Sequence, residues 1–240
     1  ARIDGGRRIV EHHDRGAEDE RARNGKALAL VPDEPALMVE VAQSSAQAHP
    51  QNRFDDAAVA QLERALALHD TTRWRQAAVD ADLDFPAAGH LFACALGVPV
   101  DSTHTPHLVR LLRRSLADAA VTNRAAKDHW QRPRPFLANG GAVCTPEDDA
   151  RLRESAAYPS GHAAIGWTWA LTLVDVAPDR ADALLQRGRS FAESRLVCNV
   201  HWYSDIVQSQ LVGAATVARL QAEPDFRADL AAARREVAAQ

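Results

Sequence analysis

Helical spacing of apolar residues is the feature that most constrains how this chain folds. From residue 55 onward, apolar side chains recur three and four positions apart, and one such stripe is formed by Ala58, Val59, Leu62, Ala65 and Leu66. This spacing places the apolar side chains on one face of an α-helix. No segment shows the alternation of apolar and polar residues that is typical of a strand. The pattern therefore predicts an all-α protein.

Proline and glycine mark the predicted ends of the helices. Thr105 followed by Pro106 is typical of a helix start, Pro133 cannot continue a helix, and Gly97 suits a helix end. The predicted helices cover residues 36–48, 55–69, 73–80, 85–96, 107–131, 162–176, 178–199, 204–220 and 224–239. Ser204 is the predicted cap of the helix over 204–220, and the last helix is predicted to be exposed. Residues 136–158 are predicted to form a long loop, which in a compact domain is more often functional than idle.

Residues 1–26 differ in composition from the rest of the chain. They are rich in Arg, Glu, Asp and Gly and have few large apolar side chains, which predicts a flexible arm. Beyond them no repeat and no linker divides the sequence, so we expect one helical domain over residues 27–240. A chain of 240 residues is long enough to bury a substantial core.

The charge and hydropathy of the chain exclude some classes of function. The formal net charge is −4 and the isoelectric point is near 6.2, whereas nucleic-acid binders usually carry a basic surplus, so no nucleic-acid partner is expected. The most apolar stretch, residues 165–177, is too short for a membrane span and contains Asp175. The sequence shows no leader of charged and then apolar residues. We therefore expect either that the protein is not exported or that a signal peptide has been removed.

Three short segments beside predicted helix ends carry the residues suited to chemistry. They are residues 127–135 with Lys127 and Arg134, the Pro-Ser-Gly-His run at 159–162, and residues 194–205 with Arg195. Two guanidinium groups and one ammonium group can surround a tetrahedral oxyanion. The backbone N–H groups that follow Ser160, beginning with Gly161, would add an anion cradle at a helix start. Together the segments predict a site that binds such an anion and stabilises charge on its oxygens.

His201 and Asp205 lie four residues apart in the third segment. If this segment is helical, the two side chains share a face, and Asp205 can accept a hydrogen bond from one imidazole nitrogen. The other nitrogen is then available as a nucleophile or a general base. His162 in the second segment offers a second imidazole for proton transfer. The alternative for His201 and Asp205 alone is a solvated pair on a helix surface.

The three segments resemble, in order, the signature of the type 2 phosphatidic acid phosphatase superfamily. The matching patterns are Lys-x6-Arg-Pro at 127–135, Pro-Ser-Gly-His at 159–162 and Ser-Arg-x5-His-x3-Asp at 194–205. Tyr-Pro-Ser-Gly-His at 158–162 and Cys-Asn-Val-His-Trp-Tyr-Ser-Asp at 198–205 are most similar to soluble bacterial class A non-specific acid phosphatases. The likeness extends over residues 28–238. It implies a compact helical bundle of the acid phosphatase and vanadium haloperoxidase type.

The resemblance implies a role for each matching residue. His201 would attack phosphorus and form a phosphohistidine, Asp205 would orient it, and His162 would protonate the leaving oxygen and then activate water. The phosphoryl oxygens would be held by Lys127, Arg134, Ser160, the Gly161 N–H and Arg195. No metal or other cofactor is expected, because the three cations supply the positive charge.

The same resemblance implies an acid phosphatase acting on a broad range of phosphate monoesters, including nucleotides, sugar phosphates and aryl phosphates. Vanadate and similar oxyanions would inhibit it. A periplasmic or secreted location and assembly into a homo-oligomer are further expectations. Where such enzymes often have Gly-Ser before the second motif and Thr after it, this chain has Ala156, Ala157 and Ala163. These differences leave the preferred substrate open.

Several alternatives to a phosphatase fit part of the pattern. A vanadium-dependent haloperoxidase would use the same anion pocket, and a phosphate-binding module would need only the cations. A serine hydrolase could use Ser160, His201 and Asp205, but the Gly-x-Ser-x-Gly elbow is missing and the cations would have no task. A membrane lipid phosphatase carries the same signature, but no span exists to hold it in a bilayer.

Three cysteines allow one disulfide. Cys144 and Cys198 could pair if the loop that carries Cys144 folds over the last motif, or they could be free thiols, and we favour free thiols. Trp130 and Trp202 are expected to pack near the pocket.

Overall fold

A computed structural model describes residues 56–240, and the regular elements in that range are all helical, which confirms the predicted all-α class. The α-helices are α1 (Asp56–Leu66), α2 (Thr72–Val79), α3 (Ala87–Leu96), α4 (Pro106–Trp130), α5 (Pro135–Asn139), α6 (Asp149–Arg153), α7 (Gly161–Val176), α8 (Ala181–Val197), α9 (Tyr203–Leu220) and α10 (Pro224–Val237). Two 3-10 helices, Pro146–Asp148 and Pro178–Arg180, precede α6 and α8. The arm predicted over 1–26 and the helix predicted over 36–48 lie outside the described residues.

Helix α7 lies at the centre of the bundle. Its residues are apolar on nearly every side, and it packs against α8, α9, α4 and α10. A helix with this pattern is stable only when neighbours cover its whole circumference. Glycine allows the closest approaches: a Cβ at Gly166 would lie 2.1 Å from the Phe191 ring of α8, and one at Gly213 of α9 would lie 2.8 Å from the Ala164 carbonyl. The close packing brings the start of α7, the end of α8 and the start of α9 together.

An aromatic cluster connects α7 to α3, to the turn before α3 and to α8. Trp169 is buried and contacts the rings of Phe85, Phe92 and Phe191 at centroid distances of 6.0, 6.2 and 6.5 Å. Its indole N–H donates to the Leu112 carbonyl of α4 at 2.9 Å, so the one polar atom of the ring is paired inside the core.

The last helix, α10, was predicted to be exposed, and that prediction is wrong for one of its faces. Phe226 and Leu230 are buried as α10 packs along α4. Asp229, also buried, pairs with Arg110 at 2.7 Å and with Arg114. Two guanidinium groups therefore offset the cost of burying this carboxylate.

Helix α4 begins where the Thr105-Pro106 pair predicts, but the Thr105 side chain does not cap it. The Thr105 hydroxyl donates to the Pro99 carbonyl at 2.9 Å. Glu236 of α10 accepts hydrogen bonds from the backbone N–H groups of His107 and Leu108 at 3.1 and 2.9 Å. A carboxylate from a distant helix thus accepts hydrogen bonds from the free N–H groups at the start of α4. Its negative charge also interacts favourably with the positive end of the helix dipole.

Two parts of the chain depart from the predicted helix boundaries. The long loop predicted over 136–158 contains α5, a 3-10 turn and α6. Helix α8 ends at Val197 and α9 begins at Tyr203, with Trp202 and not Ser204 at the capping position. Residues 198–202 are therefore a non-helical turn, and His201 lies in it. Asn199 adopts a φ of 60°, a left-handed conformation that asparagine tolerates better than most residues and that ends a helix.

No helix within residues 56–240 is long and apolar enough to cross a bilayer.

Candidate active site

The three sequence segments meet where α4 and α8 end and where α7 and α9 begin. The Ser160 N–H donates to the Ser209 hydroxyl of α9 at 2.7 Å, which joins the start of α7 to α9. The Ala157 N–H donates to the Arg132 carbonyl at 2.7 Å, and the Phe136 N–H donates to the Asn199 carbonyl at 3.2 Å. Backbone hydrogen bonds therefore connect the first segment to the loop just before the second segment, and the residue after the first segment to the third.

His201 is buried against the guanidinium group of Arg134. The distance between Arg134 Nη1 and His201 Nε2 is 3.1 Å. A guanidinium group can only donate, so Nε2 must accept, and the proton of the neutral ring is on Nδ1. Nε2 therefore carries the lone pair and faces a cation.

Asp205 lies beside the other ring nitrogen, but not through a shared helix face as predicted. His201 is in the turn before α9, and its Nδ1 is 3.4 Å from Asp205 Oδ2 without hydrogen-bond geometry. Among the described residues this Nδ1 has no hydrogen-bond partner. Oδ2 instead accepts from the Trp202 backbone N–H at 2.8 Å. The predicted proximity is found, whereas the predicted hydrogen bond is not.

Arg132 is the ion-pair partner of Asp205, and the sequence did not single it out. Its Nη1 donates to Asp205 Oδ1 at 2.6 Å and to the Ser204 hydroxyl at 2.8 Å. The guanidinium group also lies 5.5 Å from the ring centroid of Trp202. Arg132 lies in the first motif, two residues before Arg134. Its position in the sequence does not indicate which carboxylate it pairs with.

Lys127 and Arg134 converge on one carbonyl group. Lys127 Nζ donates to the Ala156 carbonyl at 2.7 Å, and Arg134 Nη2 donates to the same oxygen at 3.3 Å. Arg134 Nε donates to the carbonyls of Leu152 and Ser155, each at 3.0 Å. The loop before the second motif thus positions both cations through its backbone.

Arg195 is buried at the end of α8. Its Nη2 donates to the Ala77 carbonyl of α2 at 2.6 Å and contacts Cys198 Sγ at 3.1 Å. Its Nε has no partner among the described residues. Cys198 forms a disulfide with Cys144, so the preference for free thiols was wrong, and Cys94 is the free and exposed cysteine. The disulfide ties the loop after α5 to the turn that holds His201.

Ser160 and His162 occupy the start of α7. The Ser160 hydroxyl accepts from the Ala163 N–H at 3.3 Å, as a helix cap does, and Gly161 is the first residue of the helix. His162 is half-buried, and its Nε2 lies 3.0 Å from the Ala81 carbonyl. The opposed arrangement of His162 and His201 across a bound anion stays a prediction. Trp130 is half-buried, with its ring edge-on to Tyr158, and Trp202 is buried.

Burial and mutual repulsion lower the pKa values of the basic groups in this site. Burial, and then the charges of Arg134, Lys127 and Arg195, hold the pKa of His201 well below its usual value. Burial and the charge of Arg134 lower the pKa of Lys127 to about 7. Burial also lowers the pKa of Arg134 and of Arg195 to about 10, and it raises the pKa of Asp205 against the opposing effect of Arg132.

We call the group of Lys127, Arg134 and Arg195 the cation cluster. Its three members have similar kinds of hydrogen-bond partner. In the part of the chain that the structure describes, their hydrogen bonds go to carbonyl oxygens, a hydroxyl, a sulfur and an imidazole, and none goes to a carboxylate. Buried charges are normally paired with an opposite charge. The cluster therefore has the charge and the hydrogen-bond donors to take an anion. Within residues 56–240, no group of three or more His, Cys, Asp or Glu side chains is arranged to hold a metal ion.

Comparisons with known proteins agree with this chemistry. The family profile of the PAP2 superfamily matches residues 109–222, which contain all three motifs. A non-specific acid phosphatase from Providencia stuartii is 37% identical over 180 residues, which are 75% of this chain and 73% of the relative. The chain belongs to the PAP2 superfamily. This confirms the family predicted from the three motifs.

Two further relatives carry similar names. A non-specific acid phosphatase from Salmonella typhimurium is 36% identical over 189 residues, covering 78% of this chain and 74% of the relative. An acid phosphatase from Zymomonas mobilis is 39% identical over 170 residues, covering 71% of this chain. The chain spans 64% of the length of the Zymomonas protein. This member of the PAP2 superfamily therefore matches the greater part of proteins named for acid phosphatase activity.

Proposed function

We propose that this protein is an acid phosphatase that hydrolyses phosphate monoesters through a phosphohistidine at His201. The observation that carries the proposal is the cation cluster, in which Arg134 and Arg195 are buried and Lys127 is half-buried. Among the described residues its hydrogen bonds go to no carboxylate, and Arg134 contacts the unprotonated nitrogen of a neutral imidazole. The three relatives are named as acid phosphatases, which supports the same conclusion.

In the first step, His201 Nε2 attacks phosphorus and the bond from phosphorus to the ester oxygen breaks. His162 donates a proton to that oxygen, so an alcohol or a phenol leaves. Lys127, Arg134 and Arg195, with the N–H of Gly161 and the cap formed by Ser160, stabilise the charge that spreads over the remaining phosphoryl oxygens. Arg134 exchanges its hydrogen bond to Nε2 for one to an oxygen of the phosphoryl group.

In the second step, His162 takes a proton from a water molecule that attacks phosphorus. The bond from phosphorus to Nε2 breaks, phosphate leaves, and both histidines return to their starting states. Asp205 lies beside Nδ1 of His201 and is itself fixed by Arg132 and the Trp202 N–H. Its negative charge stabilises the positive charge on the ring while phosphorus is attached, and the distance of 3.4 Å would shorten in that state.

The electrostatics of the site suit acidic conditions. Because the pKa of His201 is held well below its usual value, the nucleophile stays unprotonated at acidic pH. Lys127, with a pKa of about 7, becomes fully charged as the pH falls below that value. The pH range in which both conditions hold lies on the acidic side of neutrality.

The same site accounts for the remaining features of the proposal. The cation cluster supplies the charge that a metal ion brings to other phosphatases, so the reaction is metal-independent. In the proposed mechanism, the cation cluster, Ser160 and the Gly161 N–H contact only the phosphoryl group of the substrate, which favours a broad range of monoesters and inhibition by vanadate. The disulfide between Cys144 and Cys198 supports export to an oxidising compartment, such as the periplasm.

The names of the relatives do not favour the haloperoxidase alternative.

The test is the hydrolysis of p-nitrophenyl phosphate across pH, with EDTA and with vanadate. We expect activity at acidic pH that EDTA leaves unchanged and vanadate abolishes. His201→Ala should abolish turnover without unfolding the protein, whereas His90→Ala, at an exposed histidine of α3, should not alter it. Loss of activity on chelation, or near-native activity of the His201 variant, would contradict the proposal.

A further inference from the structure

Two of the proposed active-site residues are held by the same short segment, and that segment lies outside the three motifs. Arg195 donates to the carbonyl of Ala77, in the last turn of α2, and His162 bonds to the carbonyl of Ala81, just after that helix. Carbonyls in the last turn of a helix lack partners within the helix and are available to side chains. The end of α2 therefore serves as a shared backbone anchor for an anion-binding group and for the proton donor.

Asp80 holds this end of α2 in place. Its carboxylate is fully buried and accepts hydrogen bonds from both terminal nitrogens of Arg187 from α8, one of them at 3.2 Å. Gln76 donates to it from within α2 at 3.0 Å. The hydroxyl of Ser194 donates to it as well, and Ser194 directly precedes Arg195. The contacts of Asp80 thus connect the end of α2 to the turn of α8 that carries Arg195.

The partners of Asp80 are themselves fixed. The guanidinium group of Arg187 lies 5.3 Å from the ring centroid of Phe92 and 5.4 Å from that of Phe191, and its Nε donates to the Leu91 carbonyl at 2.7 Å. Arg73 donates to the Ser194 hydroxyl at 2.9 Å. The ion-pair network around Asp80 therefore contacts the aromatic core through Arg187, and it reaches the residue next to Arg195 through Ser194.

We propose that Asp80 is a positioning residue of the active site: through Arg187 and Ser194 it fixes the carbonyls of Ala77 and Ala81, which orient Arg195 and His162. This inference rests on the proposed phosphatase function. Asp80 itself touches neither substrate nor reacting atoms, and its effect reaches the reaction through the backbone of residues 77–81.

The proposal predicts two kinetic changes when Asp80 is replaced. If His162 is misplaced, esters whose leaving group needs a proton suffer most, because proton donation matters little for a phenolate that leaves unaided. If Arg195 is misplaced, inorganic phosphate binds more weakly. The second change opposes simple electrostatics, since removal of a negative charge close to Arg195 would by itself strengthen the binding of an anion.

Asp229 provides a matched control. It is also a buried aspartate that pairs with arginine, but it lies between α10 and α4 and contacts none of the proposed active-site residues. Asp80→Asn and Asp229→Asn keep the size of the side chain, and Ser194→Ala removes one hydrogen bond to Asp80 and so serves as the mildest variant. Each variant is compared with wild type for thermal unfolding, for kcat/KM on p-nitrophenyl phosphate and on glycerol phosphate, and for inhibition by inorganic phosphate.

We expect Asp80→Asn to lower the ratio of kcat/KM for glycerol phosphate to kcat/KM for p-nitrophenyl phosphate by about tenfold or more, because small misplacements of catalytic groups have effects of this order. Phosphate inhibition should weaken in the same variant, and Ser194→Ala should show both changes in reduced form. Asp229→Asn should lower the melting temperature while leaving the ratio unchanged.

An unchanged ratio in Asp80→Asn or, if that variant does not fold, in Ser194→Ala would overturn the proposal. So would tighter phosphate inhibition, which would indicate a purely electrostatic effect. If wild type hydrolyses neither ester, the proposed function fails first, which is a separate and distinguishable outcome.

Discussion

The positively charged side chains at the two ends of helix α4 have opposite kinds of partner. Near its start, Arg110 and Arg114 pair with the buried carboxylate of Asp229. At its end, Lys127 donates to a backbone carbonyl, which it shares with Arg134. Removal of a cation that is paired with a buried carboxylate destabilises the fold, whereas a cation that meets only neutral groups keeps its charge available for a ligand. The second arrangement is the one that we associate with phosphate binding.

The largest predicted effect is a difference in kcat between a variant near the end of α4 and a variant near its start. Arg134→Gln should lower kcat by about a hundredfold to a thousandfold, the usual cost of removing one donor to a developing oxyanion. Arg114→Gln should leave kcat unchanged but lower the free energy of unfolding by about 2 kcal/mol, because a charged hydrogen bond is lost. Steady-state kinetics and chemical denaturation of both variants test this contrast. Equal losses of activity in the two would remove the distinction between the ends of α4.

Arg132 offers a case in which both effects should appear together. Because Asp205 is fully buried, Arg132→Gln would leave it unpaired and should lower the free energy of unfolding by about 3–5 kcal/mol. The charge of Arg132 also lowers the pKa of Asp205, so its loss should move the acidic limb of the kcat profile to higher pH. Arg132→Lys, which keeps a charge, should restore part of both properties. An acidic limb that does not move would show that Asp205 is not the group that titrates there.

A smaller and more selective effect is predicted for Lys127. Its pKa of about 7 means that it is protonated below neutrality and loses its charge above it. If this loss sets the alkaline limb of kcat/KM for the free enzyme, then Lys127→Arg should move the limb to higher pH, because arginine stays charged. Activity at the acidic optimum should change less than at pH 8. A limb that stays in place would assign it to another group, such as His162.

The helices and the family could be predicted from the sequence because both depend on local information. Apolar spacing and prolines located α4 and α7 to within one or two residues. A break between α8 and α9 was also predicted, because the predicted helices end at 199 and begin again at 204, and the observed turn covers 198–202. Asn199, with its positive φ, is a residue type that ends helices. The shared face for His201 and Asp205 required this segment to be helical, whereas the chain brings the two residues together across the turn.

The partners of the motif residues could not be predicted, because they are set by tertiary contacts between distant segments. Arg132 pairs with Asp205 across 73 positions of sequence. Arg195 and His162 meet backbone carbonyls of Ala77 and Ala81, and a carbonyl has no signature in a sequence because every residue carries one. The disulfide likewise joins two cysteines that are 54 positions apart in sequence, and it forms only when the chain between them folds back.

The central claim, that His201 is the nucleophile, is tested most directly by isolating the covalent intermediate. In His162→Ala the water that releases phosphate lacks its base, so brief reaction with p-nitrophenyl phosphate, whose phenolate leaves without a proton, should accumulate the phosphoenzyme. Peptide mapping by mass spectrometry should then find a phosphoryl group on His201 that is lost in acid and retained in alkali. A phosphoryl group on any other residue, or phosphate release in His162→Ala/His201→Ala at the rate of His162→Ala, would contradict the mechanism.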